Sequence, residues 1–241
     1  MKHTLLLALL GFILASCGKE LIPPDEIELG KDYFPLQVGH WVEYHADSIV
    51  YNDFTKTTDT FTMEFRDEIV SSFDDNQGQP SWVVERYVRQ DNSFPWTENM
   101  TYMVTGSSFR VEVVENNLRF IRLVFPVKPN TKWYGNAYIP ASFNNELKWF
   151  LGWEYKYNKV SEPFSTGYMT AENSVIVDQV NNTEGAPDNP DEFSARTYSQ
   201  EVYGKGIGLI YRELTRWEYQ PTIAKYRKGF TVILRSKAYG S

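Results

Sequence analysis

Apolar and polar residues alternate along most of the chain after residue 40. The clearest segment is 60–68, where Phe61, Met63 and Phe65 alternate with threonine and charged residues. Because successive side chains of a strand point to opposite faces, this period of two predicts strands with one packed face and one solvent-exposed face. The pattern recurs in roughly eleven segments separated by turn residues, which predicts an all-β domain built from antiparallel hairpins.

One stretch departs from this period. Phe143, Leu147, Phe150 and Leu151 are spaced like one face of a helix, and they follow Pro140. We therefore expect a short helix here, and at most one or two short helices in the whole domain.

The first sixteen residues have the organisation of a secretory signal. A basic start is followed by an apolar run over residues 5–14 and by two small residues. The run is about ten residues long, whereas a membrane-spanning helix needs roughly twenty. Residues 14–17, Leu-Ala-Ser-Cys, resemble the bacterial lipobox, and this resemblance implies cleavage before Cys17 and diacylglycerol on its sulfur. The alternative is an ordinary signal peptide whose mature chain happens to begin near a cysteine.

Cys17 is the only cysteine of the chain, so lipidation accounts for it and no disulfide can form within the chain. Residues 17–31 mix prolines and charges without a sustained period, which predicts a flexible tether. The predicted organisation is thus a signal peptide over 1–16, a tether with its lipidated cysteine over 17–31, and a single β domain over 32–241.

The residue after the cysteine favours an outer-membrane location. It is Gly18, not the aspartate that holds proteobacterial lipoproteins in the inner membrane. Lys19 and Glu20 are similar to the short charged surface-export signals of Bacteroidota lipoproteins, so the periplasmic and cell-surface faces both stay open.

The charge balance restricts the class of partner. The chain has 24 Lys and Arg against 31 Asp and Glu, and Lys2 is the only one of these in the predicted signal peptide. The mature chain therefore has a net charge of −8. This acidity argues against a nucleic-acid partner and against electrostatic adhesion to anionic lipid, so membrane contact is expected through the lipid anchor.

Residue types suited to catalysis are scarce in the predicted domain. His40 and His45 are its only histidines, and their odd spacing on a strand places them on opposite faces. Glu43, His45 and Asp47 share a face, but neighbours two positions apart on a strand are separated by about 7 Å, which is awkward for one metal ion. No Gly-x-Ser-x-Gly motif supports a catalytic triad. We therefore expect a protein that is not an enzyme.

A glycine-rich segment resembles a phosphate-binding loop only superficially. Gly204, Gly206 and Gly208 are followed by a further strand pattern, whereas a dinucleotide-binding loop needs a helix after it. A β-bulge or a close backbone approach explains these glycines better. No cofactor is expected.

One loop is a weak calcium candidate. Asp188, Asn189, Asp191 and Glu192 place four oxygen donors close together in sequence. Two prolines interrupt the loop and no EF-hand pattern is present, so a solvated loop is the default interpretation.

Aromatic residues are the more informative surplus. Trp149, Trp153, Tyr155 and Tyr157 lie within nine residues of one another in a segment predicted to begin a strand. Exposed on a rigid sheet, they would stack on sugar rings or contact a partner protein. More often such residues belong to the core, where Trp and Tyr fill large β interiors with their polar tips reaching out.

Three phrases together are similar to phrases in Bacteroidota lipoproteins without an established activity. They are Tyr33–Gly39 (YFPLQVG), Phe125–Pro129 (FPVKP) and Tyr203–Glu213 (YGKGIGLIYRE). The resemblance implies a curved antiparallel sheet or incomplete barrel, distantly like the half-barrel of the LolA/LolB lipoprotein carriers. It implies no catalytic residues.

Three functions follow as hypotheses. The first is a non-enzymatic, lipid-anchored envelope lipoprotein that binds a partner protein or envelope component. The second is a carrier that holds an apolar or acyl ligand within a half-barrel, and the third is a surface glycan binder or glycosidase. An open apolar interior would favour the carrier, and a filled interior would favour the binding module.

Overall fold

A computed structural model describes residues 28–223 and 225–241. The predicted signal peptide, Cys17 and most of the predicted tether lie outside the described residues. Residues 28–31, from the end of the predicted tether, contact the folded domain. Leu29 accepts a backbone hydrogen bond from Val127, and the Lys205 ammonium donates to the Glu28 carboxylate.

The described chain is all-β. Twelve strands form one sheet in which every pairing is antiparallel. The strands are β1 (Trp41–Asn52), β2 (Thr57–Asp74), β3 (Pro80–Arg89), β4 (Thr97–Gly106), β5 (Arg110–Glu115), β6 (Leu118–Val124), β7 (Lys132–Trp133), β8 (Tyr155–Ser165), β9 (Thr170–Gly185), β10 (Ser194–Gly204), β11 (Gly208–Tyr219) and β12 (Arg227–Gly240). Their order across the sheet is β6-β5-β4-β3-β2-β1-β12-β11-β10-β9-β8-β7.

The sheet curls into a nearly closed barrel, which confirms the predicted fold class with twelve strands. Its two edges meet where the Ile121 amide donates to the Gly135 carbonyl at 2.8 Å. The Trp133 indole donates to the Ile121 carbonyl at 2.9 Å on the same seam. A side chain at Gly135 would overlap the Tyr155 ring, with atoms as close as 2.2 Å, so only glycine allows this approach.

Alternate strands run in opposite directions, so the barrel has two distinct ends. We call the end where β1 begins the entry end, and the end where β1 turns into β2 the far end. The entry end is covered by residues 28–36, which include a 3-10 turn at Lys31–Tyr33. Tyr33 is buried there, and the ring of Phe34 lies 5.8 Å from that of Tyr203.

The far end is plugged by the connection between β7 and β8. The Asn136 amide donates to the Phe150 carbonyl at 3.1 Å and accepts from the Tyr155 hydroxyl at 2.9 Å. Phe150 in turn packs against Phe120 of β6, with ring centroids 5.7 Å apart. The short helix predicted here is only a 3-10 turn at Lys148–Phe150, because Phe143 is 95% exposed and supplies no apolar face.

A second, smaller core lies outside the barrel wall. The β8–β9 hairpin bends over the outer face, where the Thr166 hydroxyl donates to the Ser236 carbonyl at 2.7 Å. Ala171, Val202 and Ile210 are buried beneath it. Gly204 lies in close packing, since a side chain there would lie 3.1–3.2 Å from Ile210, Ile207 and Ala171. The predicted bulge is also present, as a register shift between β10 and β11.

Within residues 28–223 and 225–241, no helix is long and apolar enough to cross a membrane.

Candidate functional site

The barrel interior contains a network of buried charges. Arg86 of β3 binds Asp67 of β2 through two hydrogen bonds, of 2.6 and 2.8 Å. The third nitrogen of this guanidinium donates to Glu115 at 3.2 Å, and the Tyr102 hydroxyl donates to Asp67 at 3.0 Å. The bidentate geometry is the strongest form of an arginine–carboxylate pair.

The second half of this network is centred on Glu201, which is 1% exposed. Its carboxylate accepts from Arg122 at 2.9 Å, from Arg212 at 2.8 Å and from the Tyr203 hydroxyl. Arg122 and Arg212 also approach Glu115 at 3.7 and 3.6 Å, which joins the two halves. We call Asp67, Arg86, Glu115, Arg122, Glu201 and Arg212 the interior network.

The interior network is balanced, with three arginines and three carboxylates. Burial alone would raise the pKa of Glu201, but the charges of Arg122 and Arg212 and the hydrogen bond from Tyr203 lower it below its ordinary value. Burial likewise acts against ionisation of Glu115, and the same arginines together with Arg86 lower its pKa. Both carboxylates are therefore ionised at neutral pH.

The cavity beside the interior network is small. This cavity, of about 60 Å³, lies among the network residues and extends beneath Phe34 and Pro35 at the entry end. Ligand pockets for drug-sized molecules measure roughly 300–1,000 Å³ and are mostly apolar. This cavity is lined by charged and phenolic groups as well as apolar ones, and it has room for a few water molecules.

The aromatic residues proposed as a ligand surface are mostly core. Trp153, Tyr155 and Tyr157 are 5%, 0% and 0% exposed, and only Trp149 is half-buried. The Tyr157 hydroxyl donates to the Val124 carbonyl, and the Trp153 indole donates to the Trp149 carbonyl. Trp153, Tyr155 and Tyr157 are therefore core residues and form no exposed sugar-stacking face, whereas Trp149 stays partly accessible.

The other sequence candidates do not assemble into a chemical site. Asp188, Asp191 and Glu192 lie in the exposed β9–β10 loop, where the Asn189 amide donates to Glu192 at 2.9 Å. No group of three or more His, Cys, Asp and Glu side chains among the described residues is placed to hold a metal ion.

The two histidines lie on opposite sides of the barrel wall. Buried His40 contacts the Ile207 carbonyl at 2.9 Å through Nε2. His45 lies on the outer face, 3.3 Å from Asp47. The predicted separation of the two is therefore correct. The Nδ1 atom of His40 lies 3.2 Å from the Ser241 hydroxyl.

Ion pairs also follow the outer face of β1, β2 and β12. Asp47 accepts from Arg235 at 2.6 Å and from Thr62 at 3.0 Å. Glu64 accepts from Arg89 at 2.6 Å and from Lys237. We call these the outer pairs; their side chains keep between 12% and 28% of their surface exposed.

A broad groove lies outside the barrel, at the entry end. This groove, of about 1640 Å³, runs between the β2–β3 hairpin and the outer faces of β4 and β5. Phe73, Met103 and Phe109 line it, with exposed fractions of 40%, 42% and 74%. Its charged residues are partly paired with one another, as Arg110 is with Glu112 at 2.5 Å.

Comparisons with known proteins are sparse. No family model matches the chain, and no curated protein sequence matches it. The similar solved structures include the following two. One, from Bacteroides fragilis, is described as an exported protein with a YmcC-like fold; it has 10% identity, a TM-score of 0.43, and the match covers 86% of this chain and 98% of that one.

The other is described as a lipoprotein from Parabacteroides distasonis. It has 10% identity, a TM-score of 0.41 and the same coverage of both chains. Similarity this low assigns neither a family nor an activity.

Proposed function

We propose that this chain is a lipid-anchored lipoprotein of the cell envelope that binds a partner protein or envelope component on its outer surface, without catalysis. The observation that carries the proposal is the filled interior. The barrel is covered by residues 28–36 at one end, plugged by the β7–β8 connection at the other, and crossed by the interior network. Binding surfaces of useful size are therefore on the outside.

The filled interior also weighs against the carrier hypothesis. An acyl chain needs an apolar tunnel, whereas the space beside Arg86 and Arg212 measures about 60 Å³ and is lined partly by charges. Placing an alkyl chain there would separate buried ions from their partners, at a cost of several kcal/mol. The glycan hypothesis loses three of the four aromatic residues on which it rested, because Trp153, Tyr155 and Tyr157 are buried.

The anchor and the location of the protein form part of the proposal. Cys17 is the lipidated residue, and Gly18 favours the outer membrane. The chain enters the barrel at residues 28–31, so the entry end lies toward the membrane and the far end points away from it. The chain between Cys17 and Glu28 extends by at most about 3.5 Å per residue, which limits the distance between the domain and the lipid surface.

The test uses the full-length chain extracted from its own envelope in mild detergent. Native mass spectrometry is expected to show the acylated chain without a further lipid, and crosslinking in intact envelopes is expected to give a defined heteromeric adduct. A stoichiometric acyl molecule beyond the anchor would establish the carrier instead. Absence of any adduct under several crosslinkers would contradict the binding role.

A further inference from the structure

The hairpin turns at the far end carry an unusual set of side chains. Turns are normally occupied by Gly, Pro, Asn, Asp and Ser. Here four of the five hairpin connections present one large apolar residue to solvent: Phe54, Phe94, Phe193 and Ile223. Phe54 and Ile223 are 92% and 80% exposed. A single exposed apolar residue needs no explanation, but several at one end of the barrel form a candidate interaction surface.

Three of these hairpins are neighbours in the sheet and touch one another. The Tyr219 hydroxyl, at the end of β11, donates to the Pro190 carbonyl of the β9–β10 loop at 2.7 Å. The Thr58 and Tyr226 hydroxyls, on the β1–β2 and β11–β12 hairpins, lie 2.9 Å apart. We call these three hairpins, with Phe54, Phe193 and Ile223, the far rim.

The hairpin connections of the far end carry more acid than base, while exposed Arg227 and Lys228 follow them at the start of β12. The five connections contain five acidic residues, Asp53, Asp91, Asp188, Asp191 and Glu192, and two basic residues, Lys56 and Lys225. Three of the acids lie in the β9–β10 loop beside Phe193. Like charges facing each other across an interface are unfavourable. This excess of acid disfavours contact with a second copy of the chain and with an anionic lipid surface.

From these observations we infer that the far rim docks a protein whose contacting surface combines apolar side chains with lysine or arginine. The apolar tips supply the buried centre of such an interface, and the acids around them supply its polar edge. The inference rests on the proposed function, which makes the far end the one that points away from the membrane.

The experiment compares sites on the full-length chain in isolated envelopes. A photo-crosslinking residue replaces Phe54 at the far rim, Phe109 at the entry end or Lys159 on the exposed β8 edge, one at a time. The expected result is a single heteromeric adduct from position 54 and none from position 159. The partner identified by mass spectrometry must have a basic surface.

Substitutions at the other rim positions then test the chemistry. With the crosslinker at position 54, Ile223→Ser together with Phe193→Ser is expected to reduce the adduct about tenfold, a typical loss for a buried anchor. The matched control Phe109→Ser leaves the adduct unchanged. Neutralising the loop with Asp188→Asn, Asp191→Asn and Glu192→Gln is expected to remove most of the salt dependence of the adduct yield.

Each alternative outcome is distinct. An adduct of two copies, or an adduct with lipid, would overturn the assigned partner class. An adduct from position 109 alone would overturn the far rim as the docking surface and leave the proposed function intact. Absence of an adduct at every position would contradict the far-rim inference and the proposed function alike.

Discussion

The interior network and the outer pairs are built from the same residue types at similar distances, but they differ in burial. Glu201 is 1% exposed between two arginines, whereas Asp47 and Arg235 keep 22% and 28% of their side-chain surface. Removing one partner of a buried pair leaves an uncompensated charge and costs about 3–5 kcal/mol, while an exposed pair contributes roughly 0–1 kcal/mol. The distance between the charged atoms of an ion pair therefore does not by itself predict how much the pair contributes to stability.

The same contrast separates a structural role from a functional one. Each carboxylate of the interior network already binds an arginine. The interior network joins β3, β6, β10 and β11 to one another, and we interpret it as structural and not as a ligand-binding site. The outer surfaces retain unsatisfied apolar area, and recognition is expected there.

The largest expected effect is on the interior side of this comparison. Glu201→Gln keeps the shape of the side chain but removes the charge that Arg122 and Arg212 share. We expect the free energy of unfolding to fall by about 3–5 kcal/mol, measured by urea denaturation. Glu154→Gln, which breaks the exposed pair with Lys132, is the control and should leave the midpoint unchanged. If Glu201→Gln lowered the free energy of unfolding by less than about 1 kcal/mol, the interior network would stabilise the fold no more than the outer pairs do.

Lowering the pH tests the contribution of the interior network to stability without a mutation. Folding lowers the pKa values of Glu115 and Glu201, so the unfolded chain takes up protons first as the pH falls. The stability that these groups provide is complete above the usual pKa of about 4.3 and is lost as the pH drops through their folded values. The slope can reach about 1.4 kcal/mol per pH unit for each proton taken up.

This pH dependence is measurable by urea denaturation at several pH values between 2 and 6. Glu201→Gln removes one of the titrating groups and should flatten the slope. A slope identical to that of the wild-type chain would mean that other carboxylates control acid unfolding.

The smallest effect is expected outside the barrel. Asp47→Asn removes the charge that pairs with Arg235 while retaining an acceptor for Thr62. We expect a loss of at most about 1 kcal/mol that shrinks as salt is added, because exposed charges are screened. Thermal unfolding at low and high salt provides the measurement. A loss as large as that of Glu201→Gln, independent of salt, would remove the distinction between inside and outside.

Much of the fold was predictable from the period of two. Val42, Tyr44 and Ala46 face inward as their spacing predicts, while Glu43, His45 and Asp47 face outward. Strand lengths were less predictable. The inner-facing row of β2 continues beyond the core, so Phe61 follows the apolar pattern and is still 54% exposed.

The interior network was missed because alternation assigns charged residues to solvent by default. The spacing along β2 does indicate that Asp67 faces inward. Asp67 continues the series of alternate positions occupied by Phe61, Met63, Phe65 and Ile69. Arg86 is in phase with Val84 in the same way. Charges in phase with apolar residues predict buried charges, but their partners are on strands far away in sequence.

The sequence alone determined the strands, the inward and outward faces, the acidity of the chain and the predicted lipidation at Cys17. These depend on local spacing and residue type, which the linear order contains. Only the tertiary structure decided that Trp153, Tyr155 and Tyr157 are buried in the core. It also decided that Glu201 pairs with Arg122, 79 positions away, and that Phe54 and Ile223 lie on the same rim. The reason is physical: burial and pairing depend on which distant strands curl together, and a period of two carries no information about that closure.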